Sequence, residues 1–530
     1  MIEAVGTAEP VLDRINRITE LGITGFIVIY ALFAPHSIAV TQISYMSALL
    51  LWIVQVVATR KLRLRKTPVD KALLGFFSCC IISSVLSYAP LTSIEGLRSP
   101  SLFLAFYVIT NKVGSMRFAR ALVFALIGSC LINVFYSGVE VAKGRGIQID
   151  TISSESPFRE INLETGDIIL RANRQRVSSV ADISRAIDSG GDQLLVTYQR
   201  KETIYETSLS GETTVALKGA GVEPLGMVTS TGRNFRITGF YNHYETYAEV
   251  LQMIAALAIG VFIAHKPKAS VTGVFLSFSI LAIIAALIMT STRASMVGLA
   301  TAIVVMSIAS FRLRTTLLVC MLIVVIIPVA VFTVERSRGI SFFDPNEGST
   351  SYRLVVWREA LNIIKQHPVV GIGKGSDGLL RERFGLFGNG TLPPGHFHST
   401  PMQIATWWGL PALACYAALM TIFLVHGLRL IRRARSANNA RLWGIALGTT
   451  GALIAFNVSS IVHWNFGDGE VAMVLWLLAG LAVTAGRVSV DQQPAREARL
   501  EHPGEPEASP PTVDAAFSAK AGLAKRTNTD

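Results

Sequence analysis

The sequence predicts an all-α polytopic membrane protein of about twelve transmembrane helices, with one small α+β domain inserted on one side of the bilayer. Three observations carry that expectation. Apolar runs long enough to cross about 30 Å of hydrocarbon recur along the 530 residues, of which 51% are hydrophobic and only 16% charged. Lys and Arg gather in alternate short connections between those runs. One polar stretch, 139 to 235, interrupts the series with strand-period alternation and its own turn residues.

The apolar runs fall at 21 to 37, 40 to 58, 71 to 89, 99 to 112, 118 to 138, 245 to 264, 270 to 290, 294 to 311, 315 to 334, 402 to 426, 441 to 461 and 469 to 486. The chain thus divides into N-terminal membrane segments (1 to 138), the polar insert (139 to 235), further membrane segments (236 to 334), a long loop (335 to 401), C-terminal membrane segments (402 to 487) and a tail (488 to 530). No cleavable small-residue site precedes the first run, so that span is expected to be retained. The tail is rich in Pro, Ala and charge, and disorder is expected there.

Orientation follows from the basic clusters: Arg60, Lys61, Arg63, Arg65 and Lys66; Lys112, Arg117 and Arg120; Lys266 and Lys268; Arg312 and Arg314; Arg429, Arg432, Arg433 and Arg435. With twelve spans all five fall on one side together with both termini, and the positive-inside rule makes that side cytoplasmic. The polar insert, the turn at 291 to 293, the long loop and the short HWNFGDGE turn then share the opposite face, periplasmic in a bacterium. The net charge of +12 is largely spent on these topology signals, so nucleic-acid binding is not expected. The five cysteines, Cys79, Cys80, Cys130, Cys320 and Cys415, all lie in apolar stretches without a CxxC pair and read as small core residues.

Within the insert, strand-like alternation runs from Arg145, Gly166-Asp167 turns into an apolar strand IIL, Asn173 to Gln175 make a further turn, and SVADISRAI reads as a helix before a last strand LLVTYQR. This string of features resembles a PDZ domain of the bacterial protease-associated type. Such domains accept a peptide as an added strand and hold its C-terminal carboxylate in a backbone nest. The matching loop here would lie near Lys143 to Ile147, where KGRGIQI departs from the usual Gly-Leu-Gly-Phe form. A peptide-binding module, with a periplasmic protein as partner, and a purely structural insert both stand.

Residues that carry chemistry concentrate on the face of the long loop. Arg293 sits in STRAS at the head of a span, a position that also suits an arginine snorkelling to headgroups. Arg353 enters an amphipathic helix marked by Leu354, Val355, Trp357, Leu361 and Ile364 and ending before Pro368. Glycines at 371, 373 and 375 lack the Walker spacing and read as turns. His396 and His398 stand just before the tenth run. No third ligand of suitable type lies near them in sequence, so no metal is expected, and a histidine at the membrane edge suits proton transfer near neutral pH.

The order of these features resembles the O-antigen ligase and O-antigen polymerase superfamily: Arg293 in STRAS, Arg353 followed by Trp357, the Pro368 to Gly373 segment, then His398-Ser399, nine residues and Gly409. Ala412 departs from the Gly, Thr or Tyr usual in the ligases. The segment FRITGFYNHYETYAEVLQM also resembles the family's entry into the span after its central loop, which would turn Asn242 and Tyr244 toward the site. The resemblance implies a GT-C-like fold in the bacterial inner membrane. It also implies inverting, metal-independent and cofactor-free transfer of a glycan from an undecaprenyl-pyrophosphate carrier to lipid A core, a growing polysaccharide or a protein. In that scheme Arg293 and Arg353 meet the leaving pyrophosphate, His398 takes the acceptor proton, and Trp357, Asn242, Tyr244 and His396 line the substrate. A polysaccharide polymerase or a protein O-oligosaccharyltransferase is the nearest alternative. A PDZ-bearing scaffold or a transporter lies further off, since no inverted repeat or pair of broken helices is visible.

Overall fold

The computed structural model describes residues 3–61, 64–200, 203–233, 235–338, 348–393 and 395–491. Most of the tail, Arg63 of the first basic cluster and 339–347 of the long loop therefore lie outside the described residues. The chain opens with α1 (Glu3–Phe33) and α2 (Ile38–Thr59), followed by α3 (Asp70–Val85), a short α4 (Pro90–Glu95), two 3-10 turns, α5 (Leu104–Lys112) and α6 (Met116–Lys143). The insert contributes β1 (Ile147–Ile152), β2 (Ile168–Ala172), β3 (Gln175–Arg176), α7 (Val180–Ser189), β4 (Leu194–Arg200), β5 (Thr203–Leu209), α8 (Gly211–Ala216) and β6 (Met227–Thr231). The chain then runs through α9 (Tyr244–Ala264), α10 (Val271–Thr290), α11 (Arg293–Ser310) and α12 (Leu313–Arg338). Helix α13 (Gly348–Gln366) and the short α14 (Arg381–Phe384) and α15 (Leu386–Asn389) form the outer loop, before α16 (Thr400–Ser436), α17 (Ala440–Ser459) and α18 (Gly469–Asp491).

Serine and asparagine mark the helix starts, as their capping chemistry requires. Ser115 accepts from the Phe118 amide at 3.1 Å, Ser270 from Gly273 at 3.2 Å and Asn439 from Leu442 at 3.1 Å. Among the described residues nine helices, α1, α2, α6, α9, α10, α11, α16, α17 and α18, are long and apolar enough to cross a membrane. Nine of the twelve expected runs are thus found as such helices. Helix α3 has 16 residues and reaches about 24 Å. The run at 99 to 112 is broken at Pro100 into a 3-10 turn and the nine residues of α5. Helix α12 runs for 26 residues, Leu313–Arg338, with Pro328 inside it. Because α3 and α5 fall short as a pair, while the 26 residues of α12 reach about 39 Å, the alternation of basic loops is kept.

Helices α9, α17 and α18 are the most enclosed, whereas α1 and α2 turn most of their apolar surface outward. The α9–α17 contact is built on glycine. A Cβ on Gly260 would stand 2.2 Å from the Gly448 nitrogen, and one on Gly448 would stand 2.6 Å from the Leu257 carbonyl oxygen, so the two backbones meet directly, as close membrane helices do.

Helix α16 is interrupted at Gly409, with φ +82° and ψ 171° followed by Pro411. The break frees backbone groups that hydrocarbon cannot satisfy. The outer loop supplies their partners: the Ile372 amide donates to the Thr406 carbonyl (3.0 Å), the Gly373 amide to the Trp407 carbonyl (2.8 Å), and the Leu410 amide to the Pro368 carbonyl (2.7 Å). The glycines read as turns in the sequence are thus packing positions as well, since a Cβ at Gly371 would lie 2.5 Å from the Trp407 oxygen.

The insert folds around a six-stranded antiparallel sheet ordered β5-β4-β2-β1-β6, with β3 paired to β2. Asn173 and Arg174, both at positive φ, make the tight turn between β2 and β3. Ser179 and Asp182 form the capping box of α7, and Arg200 clamps the buried Asp167 through two hydrogen bonds of 2.8 and 2.7 Å. The last strand, β6, comes from beyond the stretch that sequence patterning reads as strands, and it pairs with β1 along its length. The Lys143 to Ile147 segment is engaged internally: the Arg145 amide donates to the Gly232 carbonyl at 2.8 Å, and the Gly232 amide to the Gly146 carbonyl at 3.1 Å. The two ends of the insert consequently meet at one point.

Substituting Gly409→Ala forces a side chain into a backbone conformation that essentially only glycine adopts, with its Cβ 2.0 Å from the Val369 oxygen. A loss of about 3 kcal/mol is expected, read as a lowered unfolding midpoint in detergent; an unchanged midpoint would contradict the kink.

Candidate active site

Glu249, in the second turn of α9 and 2% exposed, is the most enclosed carboxylate of the region. An acidic side chain at this depth is costly unless its oxygens are filled by donors. His463 Nδ1 lies 2.7 Å from Oε1, Ser459 Oγ donates to Oε2 at 2.7 Å, Asn465 Nδ2 donates at 3.2 Å, and Gln252 Nε2 donates as well. The other ring nitrogen of His463, Nε2, stands 3.6 Å from Glu245 Oε1. Burial opposes charge on this imidazole, but Glu245 and the hydrogen-bonded Glu249 outweigh it and raise its pKa above the ordinary 6.5.

Glu245, one turn outward, also lies 3.6 Å from Arg353 Nη2. Arg353 reaches it from the outer loop, where α13 is fixed by Trp357: the indole Nε1 donates to the Phe397 carbonyl at 2.8 Å. Phe397 is held in turn by its own amide, which donates to Gln403 Oε1 at 2.8 Å. The first residue of α16 closes the arrangement. The Thr400 amide donates to the Ser460 and His463 carbonyls at 2.8 and 2.9 Å, and its hydroxyl meets the His463 carbonyl at 3.0 Å. Loop, helix start and the α17–α18 turn are thereby bolted together.

His398 projects from that bolt with φ +45°, a left-handed backbone geometry uncommon for histidine. Its ring lies 4.1 Å, centroid to centroid, from His396 and 5.4 Å edge-on from Tyr352, and its amide donates to His396 Nδ1 at 3.2 Å. Burial, then the neighbouring His396, push its pKa down to about 3 against partial relief from Glu245. His396 is also lowered, by burial first. His398 is therefore a neutral imidazole at pH 7, and its buried Nδ1 has no hydrogen-bond partner among the described residues. A neutral ring with an open nitrogen beside a guanidinium can accept a proton while the guanidinium holds an anion.

The structure brings Arg353, Trp357, His396 and His398 into one cluster. Tyr244 stands at its edge, stacked on His243 at 4.5 Å and lying under the Arg236 guanidinium at 4.3 Å; Asn242 is exposed in the turn just ahead. Arg293 opens α11 and is half-buried. Gly298 of the same helix packs against Gln252 of α9 and Ala455 of α17. Sequence reading missed Glu245, Glu249, His463 and Tyr352. The signal for the two acids was present: carboxylates inside an apolar span are rare enough to mark function.

Nine apolar helices, an inserted antiparallel sheet and a buried Glu–His–Arg cluster at the mouth of the bundle define a polytopic membrane protein with an extramembrane adaptor fold. Residues 278–417 match the O-antigen ligase family model and residues 132–210 match the PDZ domain model, so the chain carries an O-antigen ligase-like membrane region and a PDZ-like insert. The periplasmic serine endoprotease DegP of Salmonella typhimurium LT2 is 31% identical over 77 residues, which is 13% of this chain and 16% of that protein. The same enzyme of Escherichia coli K12 gives the same figures. The ligase match contains Arg293, Arg353, Trp357, His396 and His398 but neither α9 acid nor His463, and the PDZ match stops short of β6. These matches support a bacterial membrane protein acting in glycan transfer and polysaccharide biosynthesis.

Because the pKa of His463 is raised on folding, its charged ring contributes stability in full below pH 6.5 and loses it as pH climbs through the raised value. Replacing His463→Gln leaves Glu249 short of a charged donor and is expected to cost about 3 kcal/mol at pH 6. The gap in unfolding midpoint between wild type and variant should narrow at pH 9; a gap independent of pH would count against a charged His463.

Proposed function

We propose that this chain is a glycosyltransferase of the bacterial inner membrane, with both termini cytoplasmic. It would move a glycan from an undecaprenyl-pyrophosphate carrier to an acceptor hydroxyl at the periplasmic face. The observation that carries the reading is a neutral, open His398 set beside Arg353 in a largely buried site. In the reaction the acceptor oxygen bonds to the anomeric carbon, the bond from that carbon to the pyrophosphate oxygen breaks, and the acceptor proton passes to His398. Inversion follows from attack on the face opposite the leaving group. Arg353, with Arg293 on the neighbouring helix, matches the developing charge on pyrophosphate through its donor fork, a contribution on the order of 3 kcal/mol.

Glu245 takes a specific part in this scheme. At 3.6 Å it holds Arg353 loosely, so a phosphate oxygen can displace it, and His463 on its other side remains to balance the released carboxylate. No metal or cofactor is assigned a step. Trp357 and His396 fix the catalytic loop against α13, and Tyr244 and Asn242 lie where the sugar portion would enter. The insert over 139 to 235 is assigned a separate role, recruitment of a periplasmic protein partner or acceptor. The acceptor among lipid A core, polysaccharide and protein is left to experiment.

The first test is the lipid-linked glycan pool in cells where His398→Ala replaces the wild type. Accumulation of long finished chains on the carrier is expected and marks lost transfer to an acceptor. Accumulation of single repeat units would instead mark a polymerase, and an unchanged pool would remove His398 from the chemistry. In vitro, His398→Ala should lower kcat by roughly 10²- to 10⁴-fold. The acid limb of kcat/KM, which reports the free enzyme, should fall below the ordinary histidine value of 6.5.

The insert can be tested separately because its ends meet at Arg145 and Gly232. Excising 145 to 232 takes the whole sheet, β6 included. Such a variant is expected to keep glycan transfer to a small acceptor in vitro while losing co-purification of any periplasmic partner; loss of transfer itself would make the insert part of the active site.

A further inference from the structure

A second pocket lies at the other end of the bundle. The turn from α1 to α2 is tied to the site end: Asn133 Nδ2 donates to the Pro35 carbonyl at 2.5 Å and Tyr241 to the Ala34 carbonyl at 3.1 Å. The far end of α2 therefore points away from the active site. There, between α2, the 64–70 turn and α5, is a cavity of about 440 Å³, within the roughly 300–1,000 Å³ of small-ligand sites. Its wall is apolar, made by Leu49, Trp52, Ile53, Val56, Leu64 and Leu104. Ile53 and Leu64 are more than half exposed, which opens the cavity sideways toward lipid.

Two polar groups reach this wall, and both are occupied. Tyr107 donates to Asp70 Oδ1 at 2.8 Å, and Asp70 also receives the Thr67 amide at 2.9 Å. At the mouth stand Arg65 and Lys66, exposed and without an ion pair among the described residues. The Arg65 backbone is fixed by its amide, which donates to Asn111 Oδ1 at 2.9 Å, so the guanidinium is carried on a held turn. The nearby Lys112 is committed to Glu20 at 2.9 Å and lies over Trp52 at 5.9 Å. From Arg60 to Lys71 the chain carries Arg60, Lys61, Arg63, Arg65, Lys66 and Lys71 against Asp70 alone.

We propose that this pocket binds one anionic phospholipid of the leaflet opposite the active site, with an acyl chain against Trp52 and the phosphate between Arg65 and Lys66. Setting topology requires only the charges of this turn. It does not require a hydrocarbon-lined cavity beneath two cations that have no ion pair among the described residues. Charge complementarity selects an anionic headgroup over a zwitterionic one, and the apolar wall selects a lipid over a free phosphate.

The test uses the full chain reconstituted in nanodiscs containing either brominated phosphatidylglycerol or brominated phosphatidylcholine. The Trp52 signal is taken as the difference between wild type and Trp52→Phe. Quenching by the anionic lipid is expected at a lower mole fraction, by about fivefold for each cation engaged. The double variant Arg65→Gln, Lys66→Gln should bring the two curves together without shifting the phosphatidylcholine curve. Two coincident curves in the wild type would overturn headgroup recognition, and absence of any Trp52 quenching would overturn lipid occupancy. Circular dichroism of each variant checks that the helices remain folded.

Discussion

The buried carboxylate of Glu249 is the constraint around which the site is arranged. A charge at that depth is tolerable only with donors on both oxygens, and these come from α9 itself, from the end of α17 and from the turn that follows it. Meeting that demand fixes His463, and the carbonyl of His463 receives the start of α16. The His396–His398 loop thus inherits its position from an interaction in which it has no direct part. The glycine contact between α9 and α17 is what lets the donors come close enough, since any side chain at Gly260 or Gly448 would hold the helices apart.

Charge balance in the cluster explains why His398 and His463 behave oppositely although only a few residues separate them in space. Each is buried, and burial alone would neutralise both. His463 faces two carboxylates, whereas for His398 burial and the neighbouring His396 outweigh the relief from Glu245. One imidazole therefore gains affinity for a proton and the other loses it, a difference made by placement alone.

Sequence reading found the parts of the site that lie in one polar stretch. Arg353 and Trp357 share a helical face by spacing, and His398 stands where a loop meets an apolar run, so patterning reaches them. Glu249 and His463 are 214 residues apart, and no local period links a turn after α17 to a carboxylate in α9. The fold was legible in the same uneven way. The turns and the helix of the insert announced themselves, whereas β6 was hidden because five residues with little strand patterning become a strand only when β1 offers an edge. Hydropathy sums over Pro100 and α3 without seeing that backbone geometry shortens both helices.

The break in α16 also bears on how the protein is made. A helix interrupted at Gly409 would enter hydrocarbon with unsatisfied amides and carbonyls, yet the segment that repairs it, 368 to 373, precedes it in the chain. By the time α16 emerges from the ribosome its mending strand has already been synthesised, so a difficult span need not wait for any later element. The same order makes the gap between mender and helix, 374 to 399, a tether whose length governs how quickly the two meet.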